Sequence, residues 1–254
     1  MPRRLAAFAL LAGACGRLSF GTEPDRDAPR APADVACPTC NDGLVAYWPF
    51  DENDGSVAHD LAGGHDATLG GNAYGFAPGA GVHGGAGAFT YGYALVPWDM
   101  PSTVGGTFTV ALWAQTDATS RGFDRYFSMF YWDGSDHGAL LIDSDASSNG
   151  LRCAAYSGGT WVFVEADAVY APTGWRHVAC TYDGATLTAV ANAQPVLAKP
   201  MAGALTTTAA IPVAIGASVY DTGGTQNEWH GLLDDVRVYN RALSQDELAA
   251  LATP

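Results

Sequence analysis

Carboxylates are the most abundant side chains in this sequence that could carry chemistry. The chain of 254 residues holds 26 Asp and Glu against 12 Lys and Arg, and 21 of the acids are Asp. Asp favours turns and loops whose oxygen atoms bind hard cations such as calcium. The formal net charge of −14 argues against nucleic acid as a partner, because phosphate binding needs a basic surface.

Aromatic side chains in predicted loops are the second kind of candidate binding residue. Trp98, Trp132, Tyr220 and Trp229 lie outside the clearest alternating patterns. Aromatic faces stack on sugar rings, and nearby Asp and Asn accept hydrogen bonds from sugar hydroxyls. Core packing is the competing interpretation for each of them. We take Trp132, Tyr220 and Trp229 as the candidate ligand-binding residues.

Nucleophilic and cofactor chemistry lack supporting motifs. His137 and His177 have no Gly-x-Ser-x-Gly elbow or cysteine nucleophile beside them. The sequence has no P-loop, Rossmann, His-Glu-x-x-His or EF-hand pattern. Of the five Glu, only Glu165 and Glu228 lie where a sheet face or loop would carry a catalytic acid, and neither has an evident partner. We predict no catalytic residues and no enzyme activity.

The cysteines indicate disulfides. Cys37-Pro-Thr-Cys40 could be a redox site, half of a zinc site or a structural loop. No second Cys-x-x-Cys motif and no βαβ pattern follows it, which favours a structural Cys37–Cys40 disulfide. Cys153 and Cys180 form the natural second pair, since each lies in a predicted strand, although four cysteines allow three pairings.

The first 15 residues have the pattern of an export signal. Arg3 and Arg4 precede an apolar run over residues 5–14, which is too short to span a bilayer. Ala12-Gly13-Ala14 has the form of a secretory cleavage site, and Leu-Ala-Gly-Ala-Cys15 resembles the lipobox of bacterial lipoproteins. Lipidation of Cys15 would leave an even number of cysteines for pairing. We expect an exported protein that is either secreted or a membrane-anchored lipoprotein, with a lipid on Cys15 as its only membrane contact.

Residues 16–41 have the composition of a flexible linker. They are rich in Pro, Ala, Asp and Arg and show no periodicity, so they cannot bury enough apolar area to offset the entropy of ordering. We assign residues 42–254 to one folded domain, because their number suits a single large β domain.

The folded part has the pattern of an all-β domain. Only 15% of the residues are charged, and 31 Gly and 14 Pro fit short strands joined by tight turns. Residues 107–115 alternate with the period of two expected of a strand. Further strands are predicted at residues 44–50, 126–132, 139–142, 151–156, 161–164, 176–182, 187–191, 213–217 and 232–239.

The end of the chain has a different pattern. Ser244 and Glu247 match a capping box, which predicts a short helix through Leu251 at one edge of the sheets. The predicted fold class is therefore all-β, a two-sheet antiparallel β-sandwich with a short C-terminal helix.

Several motifs together resemble the laminin G-like jelly-roll domains of the concanavalin A-like lectin and glucanase superfamily. They occur in the family's order and cover about residues 42–251. The motifs are Gly-Leu-Val-Ala-Tyr-Trp-Pro-Phe-Asp-Glu at 43–52, followed by Asp-Leu-Ala-Gly-Gly-His-Asp-Ala-Thr-Leu at 60–69, Ala-Leu-Trp ending at 113, Trp-Arg-His-Val-Ala-Cys-Thr-Tyr-Asp-Gly at 175–184, and Gly-Leu-Leu-Asp-Asp-Val-Arg-Val-Tyr-Asn-Arg-Ala-Leu-Ser at 231–244.

The resemblance implies a concanavalin A-like jelly roll and, in many members, a calcium site. In this sequence the matching ligands would be Asp51, Asp60 and Asp234, with Asp235 and Glu52 as second choices. The alternative is that these carboxylates cap turns or face solvent. Some relatives on this fold cleave glycans and place Glu at alternating positions of one strand, a pattern this sequence lacks.

The sequence therefore predicts a non-catalytic, extracytoplasmic binding module that a calcium ion would stabilise. Its expected ligand is a glycan or another cell-surface molecule. The alternative is a protein-interaction or structural adhesion module, and a glycan-cleaving enzyme is the third possibility. The fold does not choose among these, because unrelated functions share one architecture.

Overall fold

The computed structural model describes residues 37–72, 74–117, 122–145, 149–167, 169, 174–220 and 224–254. The predicted signal peptide, Cys15 and the part of the predicted linker up to residue 36 lie outside these ranges. No helix among the described residues is long and apolar enough to cross a bilayer.

The described residues form mostly strands, in the order expected of an all-β chain. The strands are β1 (Leu44–Trp48), β2 (Val57–Ala58), β3 (Ala67–Gly71), β4 (Tyr74–Phe76), β5 (Gly87–Thr90), β6 (Gly92–Val96), β7 (Phe108–Thr116), β8 (Phe123–Trp132), β9 (Asp136–Asp145), β10 (Gly150–Ser157), β11 (Thr160–Ala166), β12 (Arg176–Tyr182), β13 (Thr186–Ala191), β14 (Gln194–Pro200), β15 (Val213–Ile215), β16 (Ser218–Val219), β17 (Thr225–Gln226) and β18 (His230–Tyr239). The helices are α1 (Met100–Val104) and α2 (Gln245–Leu251).

The strands build two large sheets. Sheet I has the order β14-β13-β12-β7-β18-β5-β4, and β1 pairs with β18. Sheet II has the order β11-β10-β9-β8-β15-β6-β3-β2, and β16 and β17 form a separate hairpin. The paired strands are antiparallel, as the pairing of β7 with β12 and of β8 with β9 illustrates. The predicted two-sheet antiparallel sandwich is confirmed.

The core lies between the sheets because each strand alternates inward and outward residues. In β7, Phe108, Val110 and Leu112 belong to the main hydrophobic core, whereas Ala111 faces the other way and belongs to a second cluster. Burial of each large apolar side chain stabilises the fold by about 1.5–3 kcal/mol. The disulfide between Cys153 of β10 and Cys180 of β12 joins the two sheets through this core.

Helix α2 begins as the sequence predicts. The Ser244 hydroxyl accepts a hydrogen bond from the Glu247 amide, and the Glu247 carboxylate accepts one from the Ser244 amide at 2.8 Å. The prediction that α2 lies at a sheet edge is wrong. Leu248 and Leu251 pack on the outer face of sheet I, against Ala111, Ala179 and Val190, because these small side chains let the helix approach.

Residues 37–41 belong to the folded unit rather than to the linker to which the sequence pattern assigned them. The Cys37–Cys40 disulfide is formed, and Cys40 is buried in the cluster under α2. Arg241 ties this turn to the domain, since its guanidinium donates to the Thr39 carbonyl oxygen at 2.9 Å and to Glu247 at 2.7 Å.

Candidate functional site

Two of the three predicted metal ligands meet at one loop, residues 81–85. Asp51 follows β1, and its Oδ1 accepts a hydrogen bond from the Gly85 amide at 2.6 Å. Asp234 lies in β18, and its Oδ2 accepts from the amides of Val82 and His83 at 2.7 and 3.1 Å. Strands β1 and β18 are paired, which is why residues far apart in sequence reach the same loop.

Glycines allow the close approach of this loop to the carboxylates. A Cβ at Gly84 would collide with Asp51 Oδ1, and one at Gly81 would lie 2.7 Å from Asp234 Oδ2 and would collide with the Gly85 carbonyl oxygen. Another carbonyl oxygen is close as well, since a Cβ at Gly85 would lie 2.6 Å from the oxygen of Phe50. The loop is therefore lined by carboxylate and carbonyl oxygens.

Asp234 is the most unusual acid of the site. Its side chain is fully buried, and its Oδ1 has no hydrogen-bond partner among the described residues. Burial and the neighbouring charge of Asp235 raise the pKa of Asp234 to about 7. A buried carboxylate oxygen without a partner costs about 1–3 kcal/mol, so this oxygen is the atom of the site that most lacks a polar partner.

Asp235, by contrast, has a polar partner on each of its carboxylate oxygens. Although burial opposes ionisation, His83, Arg237 and Tyr47 together lower the pKa of Asp235. The Tyr47 hydroxyl donates to Asp235 Oδ1 at 2.5 Å, Arg237 donates to the same oxygen at 3.1 Å, and His83 Nδ1 lies 2.6 Å from Oδ2. Asp235 therefore holds β18, β1 and the 81–85 loop together and has no free oxygen for a metal.

Asp60 has a structural role. Its Oδ1 accepts from the amides of Tyr47 and Ala62, both at 2.8 Å, and its Oδ2 accepts from the amides of Gly63 and His65 at 3.1 and 2.8 Å. Within the described ranges no three or more His, Cys, Asp or Glu side chains form a group that could hold a metal. The structure thus brings together Asp51 and Asp234 but does not add Asp60 to them as a third side-chain ligand.

The three aromatic residues predicted to bind a ligand separate into one buried and two accessible side chains. Trp229 is 0% exposed, its ring lies 4.8 Å from that of Tyr126, and its indole nitrogen donates to the Leu232 carbonyl oxygen at 3.3 Å. The prediction that Trp229 binds a ligand is wrong, because the side chain belongs to the core. Trp98 is likewise buried and packs on Trp48.

Trp132 and Tyr220 lie together at one end of sheet II. Trp132, the last residue of β8, is 56% exposed. The Tyr220 hydroxyl donates to Gln226 Oε1 at 3.0 Å and lies 3.4 Å from the Trp132 carbonyl oxygen. In the adjoining turn, His137 Nε2 lies 2.9 Å from Asp133 Oδ1. An exposed aromatic face therefore lies among polar groups that can hydrogen-bond to hydroxyls.

The outer face of sheet II also carries a row of charges that the sequence did not reveal. Cross-strand pairing places Arg125, Asp143, Arg152 and Glu165 side by side on β8, β9, β10 and β11. The buried Asp143 carboxylate accepts from Arg152 Nε and Nη2 at 3.0 and 2.6 Å and pairs with Arg125. Two guanidinium groups thus neutralise and hydrogen-bond this buried carboxylate.

The family is established by sequence. A model of the laminin G-like family Laminin_G_3, described as concanavalin A-like lectin/glucanases superfamily, matches residues 89–249. The chain belongs to this family, as its motifs predict. No curated protein sequence matches the chain.

Solved structures share the fold at low sequence identity. Domain 4 of AbnA, an extracellular arabinanase from Geobacillus stearothermophilus in complex with arabinotriose, is 20% identical with a TM-score of 0.61, covering 83% of this chain and 98% of that one. The binding domain of botulinum neurotoxin DC in complex with SialylT is 10% identical with a TM-score of 0.59, covering 84% of this chain and 51% of that one. A Trypanosoma rangeli sialidase in complex with sialic acid is 17% identical with a TM-score of 0.56, covering 83% of this chain and 32% of that one. The chain thus spans about half of the toxin binding domain and a third of the sialidase.

Proposed function

We propose that this chain is a non-catalytic glycan-binding module with Trp132 as its principal stacking residue. The observation that carries the proposal is the exposed ring of Trp132 at the rim of sheet II, beside the Tyr220 hydroxyl. Aromatic rings bind the apolar faces of sugars, and a few polar groups then fix orientation. The printed names of two fold neighbours, which include arabinotriose and SialylT, agree with a glycan ligand.

The contacts of Glu165 and Glu228 favour glycan binding over glycan hydrolysis. Glycan-cleaving enzymes need a pair of carboxyl groups flanking the scissile bond. Glu165 Oε1 lies 3.6 Å from Arg152 Nη1, and Glu228 Oε1 accepts a hydrogen bond from the Thr225 hydroxyl at 2.7 Å. Each Glu that the sequence offered as a catalytic acid is therefore engaged by a neighbour.

Binding of the purified chain to a glycan array tests the proposal. Titration with the best ligand then gives the affinity of each variant. Trp132→Ala should weaken binding about three- to tenfold, because an aromatic contact contributes about 0.5–1.5 kcal/mol beyond its buried area. Tyr74→Ala is the matched control, since Tyr74 is 41% exposed but lies on β4 of sheet I. Absence of binding across the array, or equal loss in both variants, would contradict the proposal and favour a protein ligand.

We further propose that Asp51 and Asp234 hold a calcium ion together with the backbone carbonyl oxygens of Phe50 and Gly85. The unpartnered Asp234 Oδ1 and the nearby carbonyl oxygens of Phe50 and Gly85 are the donors that calcium prefers. The ion would fix the loop against β1 and β18 and would have no chemical role.

Melting temperatures of the chain in EDTA and in millimolar calcium test this site. Calcium should raise the melting temperature, because a ligand bound only by the folded state stabilises it by about 2.7 kcal/mol at a hundredfold excess over Kd. Asp234→Asn should abolish the rise, whereas Asp183→Asn, in a turn of sheet I, should leave it unchanged. A rise of equal size in both variants would assign the ion to another site.

Export and lipid anchoring through Cys15 complete the proposal. The lipobox-like segment before Cys15 supports them. Membrane fractionation of cells that produce the chain and its Cys15→Ser variant tests them, since only the unaltered chain should be found with membranes. Recovery of both proteins in the soluble exported fraction would favour secretion instead.

A further inference from the structure

Strand β11 is the last strand at one end of sheet II, and it differs from the other end strands of the two sheets. β2 and β4 have only two and three residues. β14, at an end of sheet I, contains Pro195, Lys199 and Pro200, residue types that protect edges from pairing with a further strand. β11 has seven residues, Thr-Trp-Val-Phe-Val-Glu-Ala, with neither Pro nor Lys. It is thus a long edge strand without these protections.

The hairpin that joins β10 to β11 determines which backbone groups of β11 face outward. Gly158 and Gly159 form its two-residue loop, and Tyr156 is paired with Trp161. The Tyr156 carbonyl oxygen accepts from the Thr206 amide at 2.9 Å, on the side of β10 opposite to β11. In an antiparallel pair, opposite residues either bond to each other or both point away. Trp161 therefore directs its N–H and C=O to the open edge of β11.

The same alternation continues along the strand. Phe163 and Glu165 lie two and four residues after Trp161, so their N–H and C=O groups face the edge as well. In the part of the chain that the structure describes, residues 160–166 make no backbone hydrogen bond outside the pairing with β10. Three donors and three acceptors are therefore open to another strand, which is the arrangement that permits pairing between two chains.

The sequence of β11 is complementary to itself in one register. When the strand pairs antiparallel with a copy of itself about Phe163, all three outward-facing residues of both copies find partners. Each Trp161 then lies opposite Glu165 of the second copy, and the two Phe163 side chains form an aromatic pair. The two Glu165 lie four residues apart along the strands, or about 13 Å at about 3.3 Å per residue, so no like charges are opposed.

Other registers are poorer. A shift by one residue in either direction leaves an outward-facing residue of each copy opposite Gly159 or Asp167, which lie outside β11. A shift that centres the pairing on Glu165 sets two like charges directly opposite, which is destabilising. The register about Phe163 is therefore the one that combines the most hydrogen bonds with the least repulsion.

Charge and edge number favour one additional copy. The formal net charge of −14 repels a second copy, but the one charged residue of β11, Glu165, has its Oε1 3.6 Å from Arg152 Nη1, so its charge is partly compensated. Because the other end strands are short or contain Pro and Lys, pairing through β11 closes at two copies and does not propagate. A single strand pair buries less than the about 1,200–2,000 Å² of a stable complex, so the dimer is weak.

We infer that β11 pairs with β11 of a second copy of this chain, so that the two copies of sheet II become one continuous antiparallel sheet. The two-fold axis passes between the two Phe163 residues and is perpendicular to the sheet. Both copies therefore present the outer face of sheet II, with Trp132, on the same side. The inference is independent of the proposed glycan-binding function.

Sedimentation velocity of the purified chain over a wide concentration range tests the inference. We expect a monomer–dimer equilibrium that salt shifts towards the dimer, because salt screens the repulsion between the acidic copies. Phe163→Lys should raise the dimer Kd about tenfold, since it replaces an aromatic pair by opposed like charges. Leu197→Lys is the matched control, because Leu197 is 37% exposed on the other edge strand, β14, and it should leave the Kd unchanged.

Charge complementation tests the register. Phe163→Glu alone should weaken the dimer as Phe163→Lys does, and an equimolar mixture of the two variants should form a mixed dimer, because the register places opposite charges face to face. Circular dichroism confirms that each variant is folded.

A backbone variant keeps the test decisive if the changes at Phe163 unfold the chain. Glu165→Pro removes an outward N–H that the pairing with β10 does not use, so it should weaken the dimer and leave the monomer folded. Glu165→Gln retains that N–H and should still form the dimer.

The contrary outcomes are distinct. A monomer at every concentration and salt level would overturn the inference and leave the edge of β11 to a strand of another protein. A dimer that Phe163→Lys does not weaken, or that Leu197→Lys weakens equally, would place the interface elsewhere. Assemblies larger than a dimer would contradict closure at two copies, and failure of the Lys and Glu variants to form a mixed dimer would contradict the register.

Discussion

The outer faces of the two sheets differ in what they carry. Sheet I presents small residues such as Ala111 and Ala179, and α2 with the Cys37–Cys40 turn covers them. Sheet II presents large rings and the paired charges around Asp143, and neither described helix lies on it. The same sandwich thus covers one outer face with a helix, whereas on the other face larger side chains pack on one another. Side-chain size on the outward positions makes the difference.

The two sides also differ in where the described residues begin. The described chain begins at Cys37 on the side of sheet I, where Arg241 holds the turn. Trp132 lies in sheet II, on the opposite side of the sandwich.

Removing the buried carboxylate of Asp143 in sheet II should have the largest effect on stability. Asp143→Ala leaves Arg125 buried without its partner, which we expect to lower the free energy of unfolding by about 3–5 kcal/mol. Urea unfolding followed by tryptophan fluorescence measures it. Glu165→Gln, at the exposed end of the same row, should change stability by less than about 1 kcal/mol. Unchanged stability of Asp143→Ala would mean that the row is hydrated and available to ligands.

Truncation of Leu248, which packs on sheet I, should have the next largest effect on stability. Leu248→Ala opens a cavity between α2 and the sheet and should cost about 2–4 kcal/mol. Ala249→Ser, on the exposed side of α2, is the control and should be close to neutral. Glycan affinity should be the same in both variants, because α2 lies on the other face. A loss of affinity in Leu248→Ala alone would show that the two faces are coupled.

The smallest expected effect is a pH-dependent contribution of Glu247 to stability. The hydrogen bond from Arg241 lowers the pKa of the Glu247 carboxyl, so the ionised form is favoured in the folded state. This stabilisation is present above the unfolded pKa of about 4.3 and is lost as pH falls through the lower folded value. Glu247→Gln should therefore be less stable at pH 7 by about 1 kcal/mol, with a difference that shrinks below about pH 4.

Asp246→Asn is the control for this pH dependence, since it removes an exposed acid from the same turn. Urea unfolding of both variants from pH 2 to pH 7 gives the comparison. A difference between Glu247→Gln and the unaltered chain that persists at low pH would show that the Glu247 charge contributes nothing.

Much of the fold could be predicted from the sequence because its signals are local. The alternation in residues 107–115 corresponds to β7, and the capping box of Ser244 begins α2. The short strands β2 to β6 were not predicted, since two to five residues rich in Gly carry little periodicity. Their pairing with β18 and with each other supplies the stabilisation that local propensity does not.

The candidate site was harder to predict, because the burial of a side chain depends on residues that are distant in sequence. Trp132 and Trp229 look alike as loop aromatics, yet only Trp132 is exposed. Asp60 and Asp234 look alike as acids near strand ends, yet amide groups of its own loop and of Tyr47 occupy both oxygens of Asp60, whereas one oxygen of Asp234 is left without a partner.

The sequence by itself determined the longer strands, the two-sheet class and the family. Only the tertiary structure decided which face of sheet I the helix covers, which cysteines pair, and that Arg125 and Arg152 share Asp143. The physical reason is that strand identity follows from the alternation of neighbouring residues. Exposure and pairing follow instead from the register between strands that are distant in sequence.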